Sequence, residues 1–148
     1  MSKVVIVGTL DTKGEEFEYV KDIIENEGLE TVVIDVGVLG EPYFEPNIDR
    51  SEVAEAGGDN IKDLVEAADR GRSMEIMSNG AAEIVEALNQ KGEVAGIISL
   101  GGSAGTTIGT TTMKRLPVGI PKVMVSTLAS GDTRPYVCLL YTSPSPRD

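Results

Sequence analysis

The sequence predicts an α/β protein with a Rossmann-like, doubly wound, mainly parallel sheet, and three features of the 148-residue chain carry that prediction. Short β-branched apolar runs, each closed by glycine or a polar turn, recur along the chain, as strands buried on both faces require. Stretches with helical apolar spacing separate them, so strand and helix alternate. Aromatic residues make up only 4% and tryptophan is absent, which leaves Val, Ile, Leu, Ala and Met to fill the core.

The first run, residues 4–7, ends at Gly8. Phe17, Val20, Ile23 and Ile24 then follow at helical spacing, Thr12 and Glu15 have the spacing of a capping box, and Gly28 is placed to stop the helix. Residues 31–36 form the second strand and complete a βαβ unit. Residues 37–59 read as irregular, with Pro42 and Pro46, and with a short helix capped by Ser51 that ends at Gly57 and Gly58. One amphipathic helix follows through Ile61, Leu64, Val65 and Ala68 and breaks near Gly71; a longer one runs from Met74 to Leu88. Residues 94–100 and 121–127 supply the third and fourth strands. Residues 1–137 thus read as one domain. The Ser/Pro-rich tail 138–148 has neither period, reads as a non-native, artefactual extension, and is left out of the fold reasoning.

Composition narrows the function. A formal net charge of −11 argues against direct nucleic-acid binding and against an anionic membrane surface. No run suits a signal peptide or a membrane span, so the expected compartment is the cytoplasm. Cys138 is the only cysteine, and without histidine any catalysis falls to carboxylates, lysines or hydroxyls.

Ligands of open α/β sheets bind beyond the carboxyl ends of the strands, which directs attention to four turns. In the turn Gly101-Gly102-Ser103-Ala104-Gly105-Thr106-Thr107, glycines admit close approach to backbone amides, a helix start aims unpaired N–H groups at an anion, and three hydroxyls add donors. No Asp or Glu occurs in residues 94–131, where Lys114, Arg115 and Lys122 do, so phosphates are expected here rather than at residues 8–14. The alternative is a glycine turn that only lets helix and strand pack closely. The turn at residues 8–14 matches neither dinucleotide nor P-loop patterns. In it Lys13 can reach a phosphate or serve acid–base chemistry, and Asp11 can hold Mg²⁺ or a sugar, or Asp11 and Thr12 merely cap the helix. Asp35 stands where dinucleotide folds place a ribose-binding acid, or is a solvated carboxylate. After the fourth strand, Ser126, Thr127, Ser130 and Gly131 precede Asp132, a candidate metal ligand or general base, and Arg134, a candidate anion clamp; a plain polar connection reads equally well.

These motifs together, GTLDTKGEE (8–16), EVAEAGG (52–58), GGSAGTT (101–107) and LPVGIPKVMVSTLASGDTRPYV (116–137), resemble the Tm-1-like ATP-binding family, also called uncharacterised protein family 0261. The resemblance implies ATP, with Mg²⁺, as ligand. It implies contacts from Thr9, Asp11, Thr12 and Lys13, from Gly101, Gly102, Ser103, Gly105 and Thr106, and from Ser126, Thr127, Ser130, Gly131 and Asp132; Thr107 extends the second group. It also implies that residues 1–137 are the first subdomain of a larger two-subdomain unit, with a further domain in some relatives. The pattern departs at Cys138, where the family has a glycine.

Three functions compete: a nucleotide-binding domain, a subdomain of an enzyme acting on a small phosphorylated or carboxylated metabolite, and a protein-partner module that nucleotide orders without chemistry. A sheet missing strands would expose apolar edges and favour self-association into a homo-oligomer.

Overall fold

A computed structural model describes residues 2–127. Its core is a four-stranded, all-parallel sheet in the order β2-β1-β3-β4, formed by β1 (Lys3–Gly8), β2 (Thr31–Asp35), β3 (Val94–Gly101) and β4 (Lys122–Ser126). Five helices connect them among the described residues: α1 (Leu10–Asn26), α2 (Arg50–Ala56), α3 (Ile61–Ala67), α4 (Arg70–Gln90) and α5 (Ser103–Lys114). The doubly wound α/β fold expected from the alternation is the fold observed.

Connection handedness distributes the helices. Parallel crossovers are right-handed, so the step from β1 to β2 and the opposite steps from β2 to β3 and β3 to β4 place their helices on opposite faces. On one face, Leu10 and Phe17 of α1 pack on Ile6 and Val33. On the other, Val5, Val7, Ile34 and Ile97 meet Val53, Met77, Val85 and Ile108. Residues Asn47 and Ile48 close the outer edge of β2: Val33 N donates to Asn47 Oδ1 at 2.7 Å, and Asp35 N donates to Ile48 O at 3.0 Å.

α2 and α4 approach so closely that a Cβ on Gly80 would lie 1.9 Å from Val53 O. That neighbour is backbone and cannot swing aside. Gly80→Ala is therefore expected to destabilise the protein by about 2–3 kcal/mol, measured by urea denaturation.

Several local expectations need correction. Thr12 does not cap α1; the N-cap residue is Thr9, and it makes no side-chain capping hydrogen bond. α2 is capped by Asp49 rather than Ser51, with the Asp49 carboxylate accepting from Glu52 N at 2.9 Å. The break between the two middle helices falls at Ala68, which takes a left-handed conformation (φ 52°), and at the Asp69 cap, which accepts from Arg72 N at 3.1 Å; Gly71 lies inside α4. At α2 and α4 an acidic side chain with a free N–H in reach outcompetes the residue that sequence spacing favours.

Candidate functional site

The sheet order reverses between β1 and β3, since β2 lies on one side of β1 and β3 on the other. Such a switch point opens a crevice beyond the carboxyl ends of the two strands. A cleft of ≈ 260 Å³ occupies that place, lined by Thr9, Asp11, Thr12 and Lys13 after β1, residues 36–39 after β2, residues 101–105 after β3, and Arg70, Ser73, Met74 and Met77 of α4.

The turn after β3 forms the cleft's polar end. α5 begins at Ser103, and its first helical hydrogen bond runs from Thr106 N to Gly102 O at 2.9 Å. The amides of Ser103, Ala104 and Gly105 precede that bond and have no helical acceptor, as at every helix start. The two leading glycines serve different ends. A Cβ on Gly101 would sit 2.8 Å from Gly105 Cα, so Gly101 is there for the close contact of strand and helix; a Cβ on Gly102 would meet nothing nearer than Thr127 Oγ1 at 3.9 Å. Packing thus accounts for Gly101 and leaves Gly102 unexplained. Gly101→Ala is expected to cost about 1–3 kcal/mol of stability. Gly102→Ala is expected to stay within about 0.5 kcal/mol of the parent while lowering anion affinity, as thermal unfolding with and without Mg·ATP would show.

The hydroxyls of this turn divide. Ser103 lines the cleft, but Thr106 is buried and bonds Gly101 O and Ser126 Oγ, while Thr107 Oγ1 donates to Ser103 O at 3.1 Å. A helical threonine readily back-bonds to the carbonyl one turn earlier, which removes it as a ligand donor. Thr127 N donates to Gly101 O at 3.2 Å, joining the end of β4 to the turn, and neither Ser126 nor Thr127 lines the cleft. Ser130, Gly131, Asp132 and Arg134 lie outside the described residues.

The acid-free stretch does not act at this turn. Arg115 pairs with Glu83 at 2.9 Å and Glu86 at 3.3 Å, and Lys122 Nζ donates to Pro117 O at 2.7 Å. Lys114 and Arg115 stand at the far end of α5, about 16 Å along its axis from Ser103. The cleft's own cations are Lys13 and Arg70, and neither has a carboxylate partner among the described residues. Sequence reading missed Arg70 because it sits in a helix start far from every strand-end turn; the only signal was a basic residue at the start of a helix, where the dipole disfavours it.

The turn after β1 carries the cleft's carboxylate. Thr9 O accepts from Thr12 N at 3.3 Å and Lys13 N at 2.9 Å, and α1 is kinked at Lys13 (φ −130°, ψ 28°). Thr9 and Thr12 bond each other through their hydroxyls at 2.8 Å. Asp11 does not cap the helix. Its Oδ2 accepts from Leu39 N at 2.7 Å and Gly40 N at 3.0 Å, and its Oδ1 is buried with no hydrogen-bond partner among the described residues.

Asp35 is neither a solvated carboxylate nor part of the cleft lining. It is 1% exposed, and its Oδ1 accepts from Leu10 N at 3.2 Å and Gly37 N at 2.9 Å, tying the turns after β1 and β2 together. Burial pushes its pKa up; the two amides and Arg50 oppose that, and the Asp11 charge adds to it. Among the described residues no three Asp, Glu, Cys or His gather as a metal-binding group. No described helix is long and apolar enough to cross a membrane.

Comparison with known proteins places this site in context. The family model described as "Uncharacterised protein family (UPF0261) N-terminal domain" matches residues 2–139. A UPF0261 protein of Clostridium tetani is 64% identical over 135 residues, covering 91% of this chain and 33% of the relative. One from Brucella suis is 40% identical over 127 residues, covering 86% and 30%. The ToMV resistance protein Tm-1(GCR237) of Solanum lycopersicum is 28% identical over 152 residues, covering 91% and 20%. The chain therefore spans a third or less of the length of these relatives.

Proposed function

The chain belongs to the UPF0261 family, of which it carries the N-terminal domain, and on that premise we propose that its cleft binds the phosphates of a nucleotide, ATP with Mg²⁺. One observation carries this reading: Lys13 and Arg70, without carboxylate partners among the described residues, line the same cleft as the helix-start amides of residues 103–105. Two cations and a row of N–H groups without helical acceptors around one small space favour a multiply charged anion.

The donor set also fits a divalent counterion. Asp11 Oδ1 is a buried carboxylate oxygen in need of a partner. Mg²⁺ is usually held by one or two carboxylates together with substrate phosphates, so a single acid suffices where the phosphates come with the ligand. Asp11 would hold the metal, and Lys13, Arg70, Ser103 and the adjoining amides would hold the phosphates. At ≈ 260 Å³ the cleft is smaller than the roughly 300–1,000 Å³ of sites that enclose a drug-sized ligand. It suits a polyphosphate, with sugar and base passing Leu39 toward parts of the longer protein.

Calorimetry on the full-length protein tests this. Mg·ATP and magnesium pyrophosphate are expected to bind saturably and adenosine not to bind. Adenosine binding as tightly as Mg·ATP, or no heat from Mg·ATP up to millimolar concentration, would overturn the assignment.

A further inference from the structure

We propose that the α1 face of the sheet over β3 and β4 is the seat of an amphipathic helix with a basic edge, contributed by a part of the longer polypeptide that this chain does not contain.

Strand alternation and register place Ile98 and Leu100 of β3 beside Val123 and Val125 of β4 on that face. Ile98 and Leu100 are only half-buried, while Val123 and Val125 are 51% and 54% exposed. All-parallel sheets are covered on both faces because their strands are apolar on both. Here α1 covers the β2–β1 half of its face, and nothing among the described residues covers the rest. α1 itself buries only Leu10, Gly14 and Phe17 out of its 17 residues, and Tyr19, which borders the bare strip beside Leu100, is 68% exposed.

Charge selects the occupant. The shallow groove between α1 and Leu100 is lined by Glu15, Glu16, Glu18 and Asp22, with no cation among the lining residues. A second copy docking about a twofold axis would bring two such acidic walls together, which like charge disfavours. A helix with an apolar ridge for the valines and Lys or Arg along the side facing α1 satisfies both surfaces. The relatives have chain to supply it, since residues of this chain align with only 33% of the Clostridium tetani protein.

The test uses the full-length protein with its native cysteines replaced by serine. Val123→Cys and, as an exposed reference, Val118→Cys are treated with a thiol reagent. The thiol at 123 is expected to react at least tenfold more slowly than that at 118, independently of protein concentration. Adding Glu15→Lys, Glu18→Lys and Asp22→Lys together is expected to restore much of its reactivity at low salt. Equal reactivity at the two positions would show an uncovered face. Protection lost on dilution would show a second copy, and protection indifferent to the charge reversals would show a partner without the basic edge; each overturns the proposal.

Discussion

Arg70→Ala and Lys13→Ala are each expected to weaken Mg·ATP binding by the full-length protein about 10- to 100-fold, and to leave its unliganded melting temperature nearly unchanged. Each removes a charged donor to a phosphate, an interaction of about 1.5–3 kcal/mol. Neither removes a folded-state ion pair with a described residue, because neither side chain has one. Arg70 is exposed at the start of α4 and Lys13 half-buried at the kink of α1, so truncation opens no core cavity. Raising the salt concentration should weaken the parent more than either variant, since part of the attraction is screened. Calorimetry at low and high ionic strength measures both effects. Unchanged affinity in both variants would remove the cations from the site.

Arg70 also marks where sequence reasoning stops. The strands were legible because β-branched runs such as residues 4–7 and 94–100 have to be buried on both faces, and the turns after them were legible because parallel sheets expose them at one end. Which side chains share a cleft depends on where the long connection from β2 to β3 lands, and no local pattern encodes that. For the same reason Lys114, Arg115 and Lys122 misled: adjacent in sequence to the glycine turn, they lie at the other end of α5 and β4. Hydroxyls were overcounted because composition cannot tell a threonine that faces a ligand from Thr106, which bonds Gly101 O and Ser126 within the fold. Asp35 looked like a ligand by position, and its actual task needed the amides of Leu10 and Gly37 in view.

Asp35→Ala should be the most destabilising of the polar substitutions. It leaves the amides of Leu10 and Gly37 without an acceptor in positions closed to water, at a cost of about 1–3 kcal/mol each. The turns after β1 and β2 would then separate, and nucleotide affinity should fall as well, since both line the cleft. Asp35→Asn isolates the charge from the geometry, because its Oδ1 can still accept from both amides. Burial raises the Asp35 pKa above the ordinary 3.8, so the folded protein holds this proton more tightly than the unfolded chain. Ionisation of Asp35 therefore costs stability as pH rises from 3.8 through the raised value, and the cost is complete above it. At neutral pH the Asn variant should be at least as stable as the parent. Its advantage should shrink as pH falls toward 3.8, where the parent regains its proton. Urea denaturation of both proteins across that interval checks the sign; an advantage that grows on acidification would show that folding lowers the Asp35 pKa instead of raising it.

The crystal structure of the full-length protein with Mg²⁺ and a non-hydrolysable ATP analogue bears most directly on the whole account. Phosphate oxygens within hydrogen-bond distance of the amides of Ser103, Ala104 and Gly105, with Lys13 and Arg70 turned toward them and the metal at Asp11, are the expected result. An analogue bound elsewhere, with the β3–α5 turn closed against its own neighbours, would contradict it.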